Sequence, residues 1–379
     1  MLRSHTLRVG FTLIGLLLAQ FAAAMPAPRS PTVEARSHIL LDFNSTQVLA
    51  ENNADARVEP ASLTKLMTAY LVFTEIGKGN LKLDDMVTVS EKAWRTGGSR
   101  MFVEVGNQVQ AVDLIRGMII QSGNDATLAL AEHIAGTEEA FADYMNQAAK
   151  QLGMTGTHFI NSYGWPDPNH YTTARDVAFL ARAIIREFPQ HYPYYSQQEF
   201  VYNGITQYNR NRLLGQDGVD GMKTGFTDSA GYCLVTSAKR GEMRLVSVVI
   251  GTKTARQRTA FSSALLNYGF RFFETHKLFD GATAMDEVQV WKGSSEQLAV
   301  GPSEPIYVTT QRGQKDALSV QAELQPSVVA PVKAGTELGR LTVSLEGKVI
   351  RQAPVYALQT VELGSWWRRL VDEARLRIQ

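Results

Sequence analysis

The sequence predicts an α+β fold in which helices pack on an antiparallel sheet, followed by a small all-β domain and a C-terminal amphipathic helix. Two β-rich runs, 232–238 and 243–251, indicate the sheet, because the short link Lys239-Arg240-Gly241 makes them adjacent antiparallel strands. From about Leu278 the pattern changes to short alternating runs separated by Gly, Pro and Ser, which is typical of an all-β domain. The last residues return to helical spacing.

The composition is that of a soluble globular protein. The chain has 379 residues, 44% hydrophobic and 20% charged, which fits one large and one smaller domain. Lysine and arginine number 38 against 37 acids, without basic blocks in the body of the chain, so nothing indicates a nucleic-acid partner.

The first 24 residues have the features of an export signal. Arg3 and Arg8 precede an apolar run, and the alanines at 22–24 suit cleavage after Ala24. The run is too short to favour a permanent spanning helix. We therefore expect an exported protein. Its one thiol, Cys233, lies in an apolar run and is expected to be a buried small hydrophobe rather than a nucleophile.

Sequence patterns predict the order of helices and strands in the larger domain. We expect an opening hairpin over 34–50, a helix after Pro60, and an exposed glycine-rich loop at 96–99. Two further helices, 112–120 and 126–135, are separated by a short loop. A long amphipathic helix over 256–273 closes this domain.

The short loop between the two helices carries Ser122-Gly123-Asn124. Gly123 is expected to let the loop turn tightly, so that Ser122 and Asn124 point the same way. Asp125 is expected to cap the helix that follows.

Ser62 and Lys65 are the first candidates for chemistry. They lie three residues apart at the start of the helix after Pro60, so their side chains can meet on one face. A serine beside a lysine is a candidate nucleophile with its own base. A Ser-x-x-Lys pair is also expected by chance in a chain of this length, and taken alone it is better explained by a capping Ser62 and a solvated Lys65.

Lys223-Thr224-Gly225 is the second candidate. It precedes the two antiparallel runs and is expected on or beside a strand that borders a cleft. Gly225 would leave room there for the backbone of a ligand.

Three segments occur in order and well separated: Ser62-Leu63-Thr64-Lys65, Ser122-Gly123-Asn124 and Lys223-Thr224-Gly225. On these segments the chain resembles the serine penicillin-recognising enzymes, with Gly123 where the Asp of a Ser-Asp-Asn box stands. The Ser-Gly-Asn form, the export signal, the trailing β-domain and the amphipathic end are similar to the low-molecular-mass penicillin-binding proteins that act as D-alanyl-D-alanine carboxypeptidases.

This resemblance implies a β-lactamase/transpeptidase-like fold and removal of the terminal D-Ala from peptidoglycan pentapeptide stems. Ser62 would form an acyl-enzyme, β-lactam antibiotics would acylate it covalently, and no cofactor would be needed. The expected parts are a signal peptide (1–24), a DD-peptidase catalytic domain (25–276), a β-rich domain (277–363) and an amphipathic anchor helix (364–379).

The resemblance also implies the roles of individual residues. Lys65 would take the proton of Ser62, and Ser122 would relay a proton to the leaving amine. The oxyanion hole would use the backbone N–H of Ser62 and that of Phe226 or Thr227. Substrate contacts are implied for Asn124, Lys223, Thr224, Gly225 and Arg258.

Lys65 must be neutral to act as a base. An ordinary lysine has a pKa of about 10.4, so neutrality near pH 7 costs about 4 to 5 kcal/mol. Burial, a helix N-terminus and the nearby charge of Lys223 would all lower the pKa of Lys65.

Two positions qualify the resemblance. Phe226 stands where relatives often carry His, which bears on substrate or inhibitor preference rather than on the reaction class. Arg210 lies in a polar turn and could support the cleft, although such an arginine is more often a structural ion-pair partner.

Three other functions share these features. A β-lactamase needs a deacylating Glu in a Glu-x-x-Leu-Asn pattern. Between Ser122 and Lys223 the nearest match to this pattern is residues 199–203, which lack the Leu and are predicted to form a strand. An endopeptidase acting on cross-links would use the same three segments. A catalytically silent cell-wall scaffold would work through the β-rich domain and the last helix, and the intact Ser62, Lys65, Ser122 and Lys223 argue against it.

The histidines give little support for metal catalysis. His158, His170 and His191 lack the His-Glu-x-x-His spacing, so we expect loop or surface histidines and no metal site.

The C-terminal stretch predicts a basic amphipathic helix, whose apolar face holds Trp367, Leu370, Val371, Ala374 and Ile378. Paired tryptophans with arginines suit anionic headgroups. We therefore expect a peripheral anchor on the periplasmic side of the cytoplasmic membrane, made by Trp366, Trp367, Leu370, Val371 and Ile378. The alternative is a helix packed on its own domain or on a partner.

Overall fold

The computed structural model describes residues 28–377, so the predicted signal peptide and Ile378 lie outside the described residues. The strands of the N-terminal part are β1 (Ser37–Asp42), β2 (Val48–Asn52), β3 (Met86–Thr88), β4 (Gln108–Gln110), β5 (Glu199–Tyr202), β6 (Ile205–Tyr208), β7 (Val219–Thr227), β8 (Gly231–Arg240) and β9 (Met243–Thr252). Its helices are α1 (Lys65–Gly77), α2 (Glu91–Arg95), α3 (Ala111–Arg116), α4 (Asn124–Ala135), α5 (Glu138–Gln151), α6 (Ala174–Glu187) and α7 (Ala255–Phe272).

An antiparallel sheet in the order β2-β1-β9-β8-β7 forms the centre of this part. Alternate residues of β1 enter different cores: Ile39 and Leu41 pack with residues of α1, α4 and α6, whereas Leu40 packs with residues of α7. The sheet therefore lies between two helical layers. Within the described chain β7 pairs with β8 alone, so β7 is an edge strand.

The C-terminal part contains β10 (Phe273–Phe279), β11 (Asp286–Trp291), β12 (Gln297–Gly301), β13 (Ile306–Gln311), β14 (Leu318–Leu324), β15 (Ser327–Val329), β16 (Glu337–Leu345), β17 (Lys348–Ala357) and α8 (Trp366–Leu376). A sheet in the order β14-β16-β17-β12-β11-β15 has its own apolar core. The predicted α+β class with a trailing all-β domain and a final helix is confirmed. The expected boundary at 276/277 falls inside β10, which pairs with β13.

Ser62 does not lie in α1. It belongs to a 3₁₀ turn, Ala61–Thr64, and α1 begins at Lys65. The two side chains still meet, because three residues in a 3₁₀ turn complete one full turn and bring them to the same side.

The loop that carries Ser122 has an irregular backbone. The helical path of α3 continues as a π-helical turn over Gly117–Gln121, and Ser122 follows with a left-handed φ of 65°. The tight turn is therefore made by Ser122, whereas Gly123, which was expected to make it, has a φ of −60°. Gly123 is needed for space, since a Cβ there would lie 2.8 Å from Asp125 Oδ1 and 3.0 Å from Met101 N.

The last helix docks through its polar side. Asp372 is buried and accepts a hydrogen bond from the backbone N of Lys292 at 2.6 Å, and the Lys292 ammonium pairs with Glu373. Trp367, Leu370 and their apolar neighbours stay exposed. Within residues 28–377 no helix has both the length and the apolar character to cross a bilayer.

Candidate active site

A cleft of about 490 Å³ lies between the 3₁₀ turn, the Ser122 loop and the edge strand β7. Most of the residues predicted for the site line it, namely Ser62, Ser122, Asn124, Thr224, Gly225, Phe226 and Arg258. Segments that are far apart in the sequence are thus brought to one place by the fold.

Lys65 lies directly behind Ser62. Its Nζ is 3.1 Å from Ser62 Oγ, 2.7 Å from Asn124 Oδ1 and 2.8 Å from the carbonyl oxygen of Tyr163. The side chain is 1% exposed, and burial, aided by the charge of Arg210, lowers the pKa of Lys65 well below its ordinary value. The cleft therefore holds a lysine whose environment opposes its charge.

Asn124 joins the lysine to the far wall of the cleft. Its Oδ1 accepts from Lys65, while its Nδ2 donates to the carbonyl of Gly97 at 2.6 Å and its backbone N donates to Ser99 O at 2.7 Å. Gly98 and Ser99 line the cleft. The glycine-rich loop at 96–99 is therefore part of the site, which its composition did not indicate.

Asp125 has a different role from the predicted helix cap. Its buried carboxylate accepts hydrogen bonds from the backbone N–H groups of Met101, Phe102 and Ala126, each at 2.9 Å, and the cap position belongs to Gly123. Because the chain at 101–103 continues from the cleft wall, Asp125 fixes that wall to the start of α4.

Ser122 and Lys223 form a second buried pair. Lys223 Nζ donates to Ser122 Oγ at 2.7 Å and to Thr224 O at 3.1 Å, and the lysine side chain is 2% exposed. Burial, with the nearby charges of Lys65 and Arg210, lowers the pKa of Lys223 well below its ordinary value. Lys223 therefore reaches the cleft through Ser122 rather than at the cleft surface.

Gly225 provides space for the protein itself. A Cβ at this position would lie 3.3 Å from both Ala61 Cβ and Pro60 O, so the expected room for a ligand is taken up by the turn that carries Ser62. Arg258 reaches the same strand from α7, and its Nη1 donates to Gly225 O at 3.0 Å and Cys233 O at 3.3 Å. The turn that carries Ser62 and strand β7 are thus held in contact.

Phe226 and Arg210 lie on the open side of the cleft. The Phe226 ring is 47% exposed, with its centroid 4.3 Å from that of Tyr232. Arg210 lines the cleft, and no carboxylate of the described chain lies within ion-pair distance of it, so its expected role as a structural ion-pair partner is wrong. A free cation at this position can attract an anionic group of a substrate.

Several cleft residues were missed by the sequence analysis. The Tyr163 carbonyl accepts from Lys65, and Trp165 lines the opening. Gly164 has a φ of +92°, and a Cβ there would collide with the carbonyl of Ala61. The signal for these residues was the turn-rich run 161–167, whose contact with the Ser62 turn depends on the fold.

The histidines are more buried than expected. His170 is 2% exposed, and its Nε2 shares a hydrogen bond with Thr64 Oγ1 at 2.8 Å while Nδ1 accepts from Ile160 N at 3.0 Å. Burial lowers the pKa of His170 to about 4. His191 is also buried and stacks on Phe73. Both lie in loops or turns, as predicted, but neither is at the surface, because their rings pack into the interior.

Cys233 is fully buried on β8, as predicted, and burial raises the pKa of its thiol to about 11. Glu199, the nearest approach to a deacylating glutamate, lies on the exposed face of β5 and does not line the cleft. In the part of the chain that the structure describes, no group of three His, Cys, Asp or Glu side chains is placed to hold a metal ion.

Comparison with known proteins gives a consistent picture. The family model described as D-alanyl-D-alanine carboxypeptidase matches residues 23–254, and the model described as penicillin-binding protein 5, C-terminal domain, matches residues 273–363. The chain is 44% identical over 375 residues to D-alanyl-D-alanine carboxypeptidase DacC of Escherichia coli K12, covering 97% of this chain and 94% of that protein.

Solved structures of similar proteins agree with the family matches. Penicillin-binding protein 5 from Haemophilus influenzae superposes with a TM-score of 0.84 and 39% identity, covering 88% of this chain and 99% of the other. Penicillin-binding protein D2 from Listeria monocytogenes, in its ampicillin-bound form, gives a TM-score of 0.59 and 31% identity over 63% of this chain and 100% of its own. This chain therefore belongs to the D-alanyl-D-alanine carboxypeptidase family.

Proposed function

We propose that this chain is a serine D-alanyl-D-alanine carboxypeptidase that removes the terminal D-Ala from peptidoglycan pentapeptide stems through an acyl-enzyme on Ser62. The observation that carries the proposal is the contact between Ser62 Oγ and the buried Lys65 Nζ at 3.1 Å. Family membership supports the reaction class, and the ampicillin-bound form of the Listeria relative supports β-lactams as covalent inhibitors.

The hydrogen bonds around Lys65 suit a neutral amine. A neutral amine has two N–H donors and one lone pair. Asn124 Oδ1 and the Tyr163 carbonyl can take the two donors, which leaves the lone pair for the hydroxyl proton of Ser62. Lowering of the Lys65 pKa by burial keeps this arrangement populated near neutral pH.

The attack of Ser62 Oγ on the peptide carbonyl develops negative charge on the carbonyl oxygen. We assign the oxyanion hole to the backbone N–H groups of Ser62 and Phe226, supported by the position of both residues on the cleft wall. One such donor is typically worth about 3 to 4 kcal/mol of transition-state stabilisation.

Collapse of the intermediate forms the Ser62 ester and breaks the C–N bond to the terminal D-Ala. The proton taken from Ser62 must reach the leaving nitrogen, and we assign Ser122 as the relay because its Oγ lies in the cleft beside Lys223 Nζ. Thr224 and Arg258, with Lys223 behind them, would hold the terminal carboxylate. Water then hydrolyses the ester and restores Ser62.

The last helix supports a peripheral attachment to the membrane surface after export to the periplasm. Trp366, Trp367, Leu370 and Val371 are 47–63% exposed, and the two indoles stack with centroids 4.1 Å apart. An exposed apolar face beside arginines favours an interface with anionic headgroups. Ile378 was proposed as part of this face and lies outside the described residues.

Two parallel assays test the catalytic proposal. The mature protein is incubated with fluorescent penicillin and, separately, with a pentapeptide that ends in D-Ala-D-Ala. The proposal expects a long-lived covalent adduct and release of one D-Ala. Rapid turnover of penicillin would favour a β-lactamase. Cleavage of cross-linked dimers would favour an endopeptidase, and acylation without product release would favour a catalytically silent scaffold.

A sedimentation assay tests the attachment. Deletion of 366–379 should leave hydrolysis of a soluble pentapeptide nearly unchanged and abolish co-sedimentation with vesicles that contain anionic lipid. The matched variant Leu370→Glu should weaken sedimentation, whereas Leu363→Glu, outside the helix, should not. Unchanged sedimentation of the truncated protein would contradict the anchor.

A further inference from the structure

The peptide unit between Ala61 and Ser62 connects the cleft to the interior. Its N–H belongs to Ser62, on the wall of the cleft, and its C=O belongs to Ala61, which is buried. The unit is trans, so its N–H and its C=O point in opposite directions. Contacts that hold the Ala61 carbonyl inside the protein therefore also set the direction of the Ser62 N–H.

The backbone of the turn does not fix this peptide unit by itself. Ser62 is the second residue of the 3₁₀ turn, and the first N–H groups of a helical turn have no acceptor within it. Ala61 has a φ of +48°, which is uncommon for a residue with a side chain and persists only where the surrounding structure imposes it. The orientation must therefore be held by contacts from outside the turn's backbone.

Three hydrogen bonds behind the turn supply such contacts. Thr64 Oγ1 donates to the Ala61 carbonyl at 2.8 Å, and His170 Nε2 lies 2.8 Å from the same Thr64 oxygen. His170 Nδ1 accepts from Ile160 N at 3.0 Å, so the proton of the neutral ring is on Nε2, which donates to Thr64. The single hydroxyl proton of Thr64 is then directed to Ala61. We call these three bonds the His170 network.

The His170 network is closed to water. Ala61, Thr64 and His170 are all buried, and Gly164 packs over the Ala61 carbonyl, since a Cβ there would lie 1.8 Å from that oxygen. Burial also keeps the imidazole neutral, because it lowers the pKa of His170 to about 4 despite the nearby charge of Asp167. Solvent therefore cannot replace a hydrogen bond that the network loses.

We propose that His170 is a positioning residue for the oxyanion hole, acting through the Thr64 hydroxyl on the Ala61–Ser62 peptide unit. The hydrogen bond to the Ala61 carbonyl fixes the direction of the Ser62 N–H. It also polarises the peptide unit, which strengthens that N–H as a donor to the developing oxyanion. The inference rests on the proposed acyl-enzyme mechanism and adds to it a residue outside the cleft.

The test measures the rate of penicillin acylation in folded variants. His170→Leu removes the donor and Thr64→Val removes the hydroxyl. Each should slow acylation about tenfold, which is less than the loss of about 10²- to 10³-fold typical of deleting an oxyanion donor. The double variant should be no slower than the slower single variant, because both changes interrupt one network.

A conservative variant and a matched control separate positioning from stability. His170→Gln should stay within about threefold of the wild type, because its amide N–H can donate to Thr64 from the place of Nε2. The control is His191→Leu, since the His191 ring is also buried but stacks on Phe73. This control should lower the free energy of unfolding and leave acylation near the wild-type rate.

Four results would overturn the positioning role alone. They are a wild-type rate in His170→Leu or Thr64→Val, equal losses in His170→Gln and His170→Leu, additive losses in the double variant, and similar slowing by His191→Leu. If His170→Leu does not fold, Thr64→Val decides, because it removes a hydroxyl and keeps the shape of the side chain. Absence of acylation in the wild type would overturn the proposed function together with the positioning role.

Discussion

At the scale of single residues, the proposed chemistry depends on Lys65, a lysine held where charge is unfavourable. Lys65 has three polar neighbours, and all of them are oxygen atoms that can accept its hydrogens or, for Ser62, donate to it. A capped helix with a solvated lysine would have none of these contacts. The burial of Lys65 therefore supports its proposed role as a base over a chance Ser-x-x-Lys pair.

The pH dependence of acylation should report the pKa of Lys65. Because only the neutral amine accepts the Ser62 proton, the rate should rise with pH and level off well below 10.4, the approximate pKa of an ordinary lysine. Lys65→Arg should lower the rate by about 10²- to 10⁴-fold, since a guanidinium stays protonated. The measurement is the penicillin acylation rate between pH 5 and about 10, with Lys348→Arg as control. A rate that is still rising at pH 10, as expected for an ordinary lysine, would contradict the neutral base.

His170 should make stability depend on acidity. Its pKa is about 4 in the folded protein and about 6.5 when unfolded, so the unfolded state binds more protons between these values. Stability from the neutral ring is therefore complete above pH 6.5 and is lost as pH falls toward 4, by about 3 kcal/mol.

The His170 prediction is checked by denaturant titration of the wild type and of His170→Gln. The difference in unfolding free energy between them should shrink as pH falls from about 7 to about 4. A difference that does not vary with pH would show that His170 is not held neutral by the fold.

Residue types were predictable from the sequence, whereas long-range partners were not. The Ser, Lys and Asn of the three segments could be chosen because their chemistry is specific. The Tyr163 carbonyl could not, because any residue has one and only the fold brings it to Lys65 across 98 positions. Asp125 does lie at the start of a helix, as predicted, but its carboxylate does not cap that helix. Its oxygen atoms accept hydrogen bonds from the backbone of a loop more than 20 residues earlier in the chain.

At the scale of elements, the cleft is built from irregular backbone beside regular strands. The 3₁₀ turn of Ser62 packs against Gly225 of β7, and the turn at Gly164 packs against the same 3₁₀ turn. Ser122, which follows the π-helical turn, accepts a hydrogen bond from Lys223 of β7. Periodicity predicts the regular elements well, because β7–β9 and α7 follow alternation and helical spacing. Periodicity does not predict a π-helical turn or a serine with a left-handed backbone conformation, because both depend on tertiary contacts.

Gly164→Ala should damage the site through the element it touches. The added Cβ would press on the Ala61 carbonyl and on Thr64 Oγ1, 2.9 Å away, and so displace the turn that carries Ser62. We expect a loss of about 1–3 kcal/mol in stability and at least about tenfold slower acylation. Gly106→Ala is the control, since its φ is also positive at 78° and nothing lies within 4 Å; equal effects on acylation would contradict the contact argument.

At the scale of the whole molecule, buried hydrogen bonds join the two parts. Asp42, at the end of β1, accepts from Ser45 Oγ at 2.9 Å and from Thr275 Oγ1 at 2.6 Å. Ser45 Oγ in turn lies 2.6 Å from Thr309 Oγ1 in the β-rich part. The sequence predicted both parts but gave no sign of this junction, because polar residues at strand ends resemble solvated turns.

Asp42→Ala should weaken the junction and leave the chemistry alone. Removing the carboxylate takes the acceptor from the buried backbone N–H of Ser45, at 2.7 Å, and leaves the Ser45 and Thr275 hydroxyls to share Thr309 Oγ1 alone. The loss should lower the free energy of unfolding by about 1–3 kcal/mol. Calorimetry measures the change in Tm, and the penicillin acylation rate of the folded protein should stay near that of the wild type. An unchanged Tm, as expected of the exposed control Asp286→Ala, would show that the network contributes nothing.

The central claim is that Ser62 is the nucleophile, and its most direct test is to locate the penicillin adduct. Mass spectrometry of the peptides from penicillin-treated protein should find one penicilloyl group, on Ser62. Ser62→Ala, with an unchanged circular dichroism spectrum, should form no adduct and release no D-Ala from a pentapeptide. An adduct on another residue, or D-Ala release by Ser62→Ala, would contradict the account.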